Sequence, residues 1–211
     1  MSRLRYKRSD AVSHLQQQCP RLGEFITRQG PLKLRVAADG SLFDALARAI
    51  VYQQLSGKAA GTIHGRFCAL FPNQQPVAAD LIQMSFNQLR AVGLSRNKVL
   101  AIQDLAEKSL AGALPTPRQI GSMDDAQVIE KLCEVRGIGP WTAQMLLIFN
   151  LGRPDVMPAA DLGVQKGVQA VYRMRKLPAP EQVLQRTRHL APYRSAASWY
   201  FWRAADTALM S

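Results

Sequence analysis

Short segments with the apolar spacing of amphipathic helices follow one another along this chain, separated by glycine and proline. The clearest of them begins after Ser41, where Asp44 completes an S-x-x-D capping box. Six apolar residues of this segment fall on one helical face: Leu42, Phe43, Leu46, Ala47, Ile50 and Val51. Because no segment shows convincing strand alternation, the sequence predicts an all-α fold.

The length of 211 residues is compatible with one helical domain or with two small lobes around a shared cleft. We interpret the chain as two lobes with the active site in the cleft between them. Residues 1–40 and 158–211 would form one lobe, and residues 41–157 the central lobe. The central lobe would contain a helical hairpin at about residues 124–150, with Ser122 as the cap of its first helix.

The charge balance is strongly basic, since 27 lysine and arginine residues against 15 aspartate and glutamate residues give a formal net charge of +12. Such a balance favours a polyanionic partner, with nucleic acid as the leading candidate. Charge governs binding and not fold, so a merely basic soluble enzyme is the alternative.

The cysteines and the apolar runs set the cellular context. Cys19, Cys68 and Cys133 are odd in number and far apart, so they form neither a disulfide framework nor a C-x-x-C metal site. No apolar run approaches the roughly 20 residues that span a bilayer, and the charged N-terminus lacks the apolar region of a secretion signal. We therefore expect a cytoplasmic protein in a bacterium, or a nuclear one in a eukaryote, without a membrane partner.

Residues 132–143 read LCEVRGIGPWTA, which is the end of one amphipathic helix, a tight turn and the start of a second helix. The turn glycines permit positive φ and a close approach of the backbone to a phosphate, and Pro140 suits the first position of the second helix. An ordinary hairpin with a glycine turn is the alternative. In so basic a chain the complete string favours binding of the DNA backbone, which would involve Gly137, Ile138, Gly139 and Thr142.

A second phosphate-binding element is predicted at the start of a long helix after Gly93. Ser95 caps this helix, and its first turn contains Arg96 and Lys98. The backbone N–H groups of such a turn have no partner within the helix and can bind a phosphate. Ordinary solvated surface explains the basic turn equally well.

The loop RPDVMPAAD follows the second hairpin helix and ends at Asp161, which occupies the N-cap position of the next predicted helix. An aspartate in this position needs no chemistry to explain it, so a purely structural cap is the alternative to a catalytic carboxylate. Asp155 lies too early in the loop to be the first candidate.

Four segments resemble the helix-hairpin-helix DNA glycosylase superfamily, and within it the 3-methyladenine DNA glycosylase II (AlkA-like) branch: Arg48–Ser56, Gly93–Ala106, Gly137–Gln144 and Pro192–Trp202. Each is a weak signal alone, but their order and mutual spacing agree with that branch. In the family, one aspartate follows the hairpin and a Gly/Pro-rich loop and opens the next helix, which is the place of Asp161. This chain is too short for the additional β-rich N-terminal domain of some members.

The resemblance implies a monofunctional enzyme of base excision repair. It would flip an alkylated purine out of double-stranded DNA and hydrolyse its bond to the sugar, with Asp161 as the catalytic carboxylate. Relatives that also cut the strand carry a lysine where this chain has Trp141, so no lyase chemistry is expected. Three scattered cysteines cannot supply the four thiolates of the endonuclease III-like iron–sulfur cluster. We therefore expect no cofactor and no metal held by side chains. A monomer is expected, since one hairpin and one cleft suffice to engage one lesion.

The resemblance also implies roles for aromatic and turn residues. Trp141 and Trp202 would form a pocket that attracts a cationic base, with core packing as the alternative for Trp202. Met145 stands where some relatives carry an aromatic residue and would also line the pocket. Gln54 or Leu55 would be the wedge that fills the gap in the duplex, and a simple break between two helices is the alternative there.

Hairpins of this kind also hold a monovalent cation, so Na⁺ or K⁺ is expected at the backbone carbonyls near Val135 and Ile138. Rival interpretations are a glycosylase of different base specificity, a non-catalytic helix-hairpin-helix DNA-binding module, and an unrelated all-α hydrolase. The three histidines lie too far apart in sequence to suggest a shared site. The exact lesion stays open among 3-methyladenine, 7-methylguanine, hypoxanthine, ethenoadenine and 1-methyladenine.

Overall fold

The computed structural model describes residues 4–37 and 40–208, and every regular element in these ranges is helical, as the sequence predicted. Two short 3₁₀ turns follow α4 and α12. None of the helices in the described part of the chain is both long and apolar enough to cross a membrane. The α-helices are α1 Arg8–Gln18, α2 Pro20–Gln29, α3 Leu42–Tyr52, α4 Gly57–Cys68, α5 Ala78–Leu81, α6 Phe86–Ala91, α7 Arg96–Leu110, α8 Pro117–Ser122, α9 Asp125–Cys133, α10 Pro140–Phe149, α11 Leu162–Tyr172, α12 Pro180–Thr187 and α13 Arg194–Ala208.

Side-chain caps fix where the helices begin. Ser95 caps α7 as predicted, and its Oγ accepts a hydrogen bond from the Lys98 backbone N–H at 3.3 Å. The prediction that Ser122 caps α9 was wrong, because Ser122 is the last residue of α8. The cap is Asp124, whose Oδ1 accepts from the Gln127 backbone N–H at 2.8 Å, while the Gln127 side chain accepts from the Asp124 N–H at 3.0 Å.

The chain divides into two compact units. Unit 1 consists of Met1–Ala38 and Gln144–Ser211, and unit 2 is Asp39–Ala143. The sequence-based division placed residues 144–157 in the central lobe, whereas the structure groups them with unit 1. One reason is that the loop after α10 is hydrogen-bonded to the start of α13, for example from the Ser195 N–H to the Pro154 carbonyl at 3.0 Å.

In unit 1, α11 and α13 approach each other backbone to backbone. A Cβ atom on Gly167 would lie 1.9 Å from the Phe201 carbonyl oxygen, so only glycine fits this crossing. The α1–α2 pair packs beside these helices. Tyr200 of α13 is fully buried, its hydroxyl donates to the Gly30 carbonyl at 3.1 Å, and burial raises its pKa to about 12.

In unit 2, α7 is the central helix and packs against α3, α5 and α6. Val99, Ile102 and Leu105 of α7 are fully buried, as are Leu46 and Ile50 of α3. Burying side chains of this size contributes about 1.5–3 kcal/mol each.

Candidate active site

Asp161 lies at the N-cap of α11, as the sequence predicted. Its Oδ1 accepts a hydrogen bond from the Val164 backbone N–H at 2.8 Å and a second one from Nε1 of Trp202 at 2.8 Å. Asp161 therefore caps the helix, and its carboxylate has a second hydrogen-bond donor besides the capped N–H. An indole from a helix 41 positions further along the chain also fixes its orientation.

Trp202 is half-buried on α13, and its ring stacks on Phe149 with centroids 5.5 Å apart and an angle of 27° between the planes. A Cβ atom on Gly163 would lie 2.8 Å from Cδ1 of Trp202, so the absence of a side chain at this position lets the indole reach Asp161. The structure thus gives Trp202 a hydrogen-bonding task beside the carboxylate, which neither the pocket hypothesis nor the core-packing alternative included.

The loop that carries Asp161 is bound to the N-terminus of α13 by an ion pair. The Arg194 guanidinium donates to both oxygens of Asp155, from Nε and Nη2, at 2.8 Å each. The Val156 N–H donates to Oγ of Ser195 at 3.0 Å, and Oγ of Ser198 donates to the Val156 carbonyl at 3.2 Å. The loop is therefore fixed to the same helix that supplies Trp202.

Burial opposes ionisation of Asp155, but the hydrogen bonds and positive charge of Arg194 outweigh it, so the pKa of this carboxyl lies below its ordinary value. Asp155→Asn should lower the free energy of unfolding at pH 7 by about 1–3 kcal/mol, because Arg194 loses a charged partner. Because the pKa of Asp155 is lower in the folded than in the unfolded protein, its ionised form stabilises the fold at pH values above the unfolded-state pKa of about 3.9. This stabilisation is lost as the pH falls through the folded-state pKa.

The difference in the free energy of unfolding between wild type and Asp155→Asn should therefore become smaller as pH falls below about 4. Urea unfolding at pH 7 and at pH 3 would measure this difference. A gap of equal size at both pH values would show that the charge of Asp155 does not stabilise the loop.

In unit 2, the predicted hairpin is formed by α9, a turn and α10. Gly137 has φ +77°, as expected of a turn glycine, and the Arg136 N–H beside it donates to Oδ2 of Asp104 at 2.7 Å. Gly139 does not have a positive φ, and the space where its Cβ would lie is open. Gly139 is therefore not needed for a positive φ, and of the two predicted roles of a turn glycine only the close approach of the backbone to a phosphate remains for it. Thr142 is 6% exposed, so the phosphate contact predicted at this position would have to come from its backbone N–H.

The predicted wedge residues lie in an exposed turn after α3. Gln54 has a left-handed backbone with φ +57°, and Leu55 is 38% exposed. Lys98 points at this turn: its Nζ donates to the carbonyls of Val51 at 2.7 Å and Gln53 at 2.8 Å. The sequence predicts DNA phosphate as the partner of Lys98, and in the structure its ammonium group has these two carbonyl partners. Ser95 and Arg96 are exposed at the start of α7.

The remaining predicted residues lie on α10. Trp141 is 46% exposed at the first turn of this helix. Met145 is half-buried and lies four residues before Phe149, on the same helical face. The side chains of Val135 and Ile138 are buried, and the Ile138 N–H donates to the Val135 carbonyl at 3.0 Å. Within the described ranges no group of three or more His, Cys, Asp and Glu side chains could hold a metal ion.

Sequence reasoning missed several residues that shape these elements: Gly163, Phe149, Arg194, Asp104 and Gln53. Gly163 and Gly167 are four residues apart, a spacing that places both glycines on one face of α11 and could have indicated a close helix crossing. The other residues act through partners 32 to 84 positions away, for which no local pattern exists.

Comparison with known proteins gives one consistent result. The family profile described as "HhH-GPD superfamily base excision DNA repair protein" matches residues 47–192. DNA-3-methyladenine glycosylase 1 of Schizosaccharomyces pombe is 38% identical over 167 residues, which are 79% of this chain and 73% of that protein.

Two solved structures extend the likeness to nearly the whole chain. A 3-methyladenine DNA glycosylase of the same yeast, in complex with abasic DNA, matches with a TM-score of 0.81 and 34% identity over 92% of this chain and 95% of that one. A DNA-3-methyladenine glycosidase of Bacillus halodurans matches with a TM-score of 0.87 and 33% identity over 99% of this chain and 95% of that one.

Proposed function

The chain belongs to the HhH-GPD superfamily of base excision DNA repair proteins, and from this membership we propose that it is a monofunctional DNA glycosylase that excises alkylated purines of the 3-methyladenine type. The observation that carries the proposal is the carboxylate of Asp161, held at 2.8 Å by both the Val164 N–H and the Trp202 indole at the start of the helix that follows the hairpin. This is the group that a glycosidic hydrolysis needs.

The chemistry starts from an extruded nucleotide, because Asp161 cannot act on a base stacked inside the duplex. An N3- or N7-alkylated purine carries a positive charge, so it leaves with the electron pair of the broken bond to C1′ and becomes neutral. The sugar then develops oxocarbenium character, which the Asp161 carboxylate stabilises electrostatically. A water molecule adds to C1′ and loses a proton to the carboxylate, which leaves an abasic site.

Trp202 and Gly163 support this step by orienting the carboxylate. Trp202→Phe keeps an aromatic ring against Phe149 but removes the N–H donor, and Gly163→Ala displaces the indole. A lost hydrogen bond to a charged acceptor amounts to about 1.5–3 kcal/mol, so we expect each variant to release base at least about tenfold more slowly, with its affinity for undamaged duplex DNA nearly unchanged. Single-turnover assays with methylated duplex would measure this, and a full rate in both variants would remove the indole from the mechanism.

DNA engagement is assigned to unit 2. The N-terminus of α10, opened by the Gly137–Gly139 turn, would bind a phosphate, and the exposed start of α7 with Ser95 and Arg96 would bind another. A Na⁺ or K⁺ ion on the carbonyls of Val135 and Ile138 would add positive charge beside the first phosphate. Gln54 or Leu55 would fill the space that the extruded base leaves. In unit 1, Met145 and Trp202 would contact the base, and the enzyme would act as a monomer.

Trp141 supports the absence of lyase chemistry, because a tryptophan cannot form the Schiff base through which strand-cutting relatives act. The test is to incubate the protein with methylated duplex DNA and to measure released bases and strand breaks before and after alkali. Release of methylpurine with breaks only after alkali is expected. Breaks before alkali would contradict the monofunctional assignment, and tight salt-dependent binding without base release would instead indicate a DNA-binding module.

A further inference from the structure

A lysine of α7 is hydrogen-bonded to the backbone at the turn between α3 and α4, Gln53–Ser56. Nζ of Lys98 donates to the carbonyls of Val51 and Gln53, at 2.7 and 2.8 Å. Carbonyls at the end of a helix have no partner within it, and a cation there also interacts favourably with the helix dipole. Burial lowers the pKa of Lys98, in agreement with an ammonium group turned toward the protein.

The same turn is tied to the hairpin by a side chain. Nε2 of Gln53 donates to the Gly137 carbonyl at 2.8 Å, across 84 positions of sequence. The next residue, Gln54, has the left-handed backbone conformation that reverses the chain, so its position depends directly on where Gln53 is held.

One face of α7 contacts both the turn Gln53–Ser56 and the hairpin. Lys98 holds the turn, and Asp104 accepts from the Arg136 N–H of the hairpin at 2.7 Å, with Lys108 as its ion-pair partner at 2.6 Å. Between them on the same helix lies Ala101, whose Cβ would be 3.3 Å from a Cβ atom added to Gly137. Residues 98, 101, 104 and 108 follow the three- and four-residue spacing of one helical face.

We propose that Lys98 and Gln53 are positioning residues: they fix the turn Gln53–Ser56, which carries the predicted wedge, relative to the hairpin that binds phosphate. Phosphate binding by the hairpin then determines where Gln54 and Leu55 enter the duplex. The inference rests on the proposed function, since a wedge is needed only when a nucleotide is extruded. It assigns Lys98 to the protein backbone and not to DNA phosphate.

The test uses full-length Lys98→Met and Gln53→Met, which keep the side-chain length and lose the donors. Lys98→Arg serves as the conservative variant, and Lys176→Met, an exposed lysine of unit 1, controls for the loss of one charge. The probe is a duplex with 2-aminopurine beside a tetrahydrofuran abasic analogue, where insertion of a wedge changes base stacking and fluorescence.

Wild type, Lys98→Arg and Lys176→Met should give the full fluorescence change, and the two other methionine variants should lose most of it. Duplex affinity and its salt dependence should stay the same in Lys98→Met. Excision of a methylated base should fall by about tenfold in a paired context and by less than about twofold in a bulge, where extrusion costs little. A full fluorescence change in Lys98→Met and Gln53→Met would overturn the proposal.

A salt slope lowered by about one in Lys98→Met would also overturn the proposal, because it would make this lysine a phosphate ligand. Gln53→Met keeps the test decisive if Lys98→Met folds poorly. Should the wild-type protein release no base, the fluorescence pattern still decides the positioning role, so the two ideas fail separately.

Discussion

Asp161→Asn should release alkylated purine from duplex DNA about a thousandfold more slowly than wild type, because general-base and electrostatic contributions of one group reach this size. Asparagine keeps an Oδ1 that can accept from the Val164 N–H and from Nε1 of Trp202, and it is as good an N-cap as aspartate. The substitution therefore removes the charge and leaves the local fold in place. Single-turnover base release at saturating enzyme measures the loss directly.

Asp124→Asn is the matched control for this variant, since Asp124 caps α9 in the same way and no chemistry is assigned to it. It should keep the wild-type rate. DNA affinity and melting temperature should be unchanged in both variants, which separates a chemical defect from a binding or folding defect. Normal base release by Asp161→Asn would move the catalytic role to another residue.

Gly167→Ala should lower the free energy of unfolding by about 3 kcal/mol, at the upper end of the range for overpacking. The new Cβ would lie 1.9 Å from the Phe201 carbonyl oxygen, and the nearby atoms that would have to move are backbone atoms of α13. The two helices must therefore separate, which disturbs the packing of unit 1. For a protein of this size the melting temperature should fall by roughly 6–12 °C.

Gly65→Ala provides the control for helix propensity. Gly65 lies inside α4 with nothing within 4 Å of the added carbon, so alanine there should stabilise the protein by about 0.5–1 kcal/mol. Opposite signs for the same substitution in two helices would identify contact with α13 as the cause. A small effect at both positions would mean that α11 and α13 can move apart at little cost.

Features that depend on neighbours three or four residues away were predictable from the sequence. The N-caps at Ser41, Ser95 and Asp161 all belong to this class, and at Ser41 the structure shows the cap on the Asp44 N–H and not the full box. Even here competition matters: Asp124 and not Ser122 caps α9, because two candidates stood within three residues and only Asp124 is followed by a glutamine at the right distance.

Features that depend on distant partners could not be derived from local patterns. The family resemblance gave the place of Asp161, but the indole that orients it comes from 41 positions away. Lys98 illustrates the same limit, since its position in the first turn of a helix suggests a phosphate ligand, and only the structure shows that its ammonium group donates to the carbonyls of Val51 and Gln53. Pattern identifies which residues are available, and tertiary contacts decide how each is used.

The hydrogen bonds between the Asp161 loop and α13 have a consequence for damage discrimination. Because one helix supplies both Trp202 and a partner of Asp155, contacts within the protein itself fix the carboxylate of Asp161 and the indole relative to each other. A site preorganised in this way spends no binding energy on assembling itself. An undamaged purine that reaches it would meet the same arrangement, so fidelity must come from the steps before it and from the leaving-group ability of the base. Selectivity in this protein is thus expected to reside in the cost of extrusion and the charge of the lesion, and not in a conformational change of the catalytic groups.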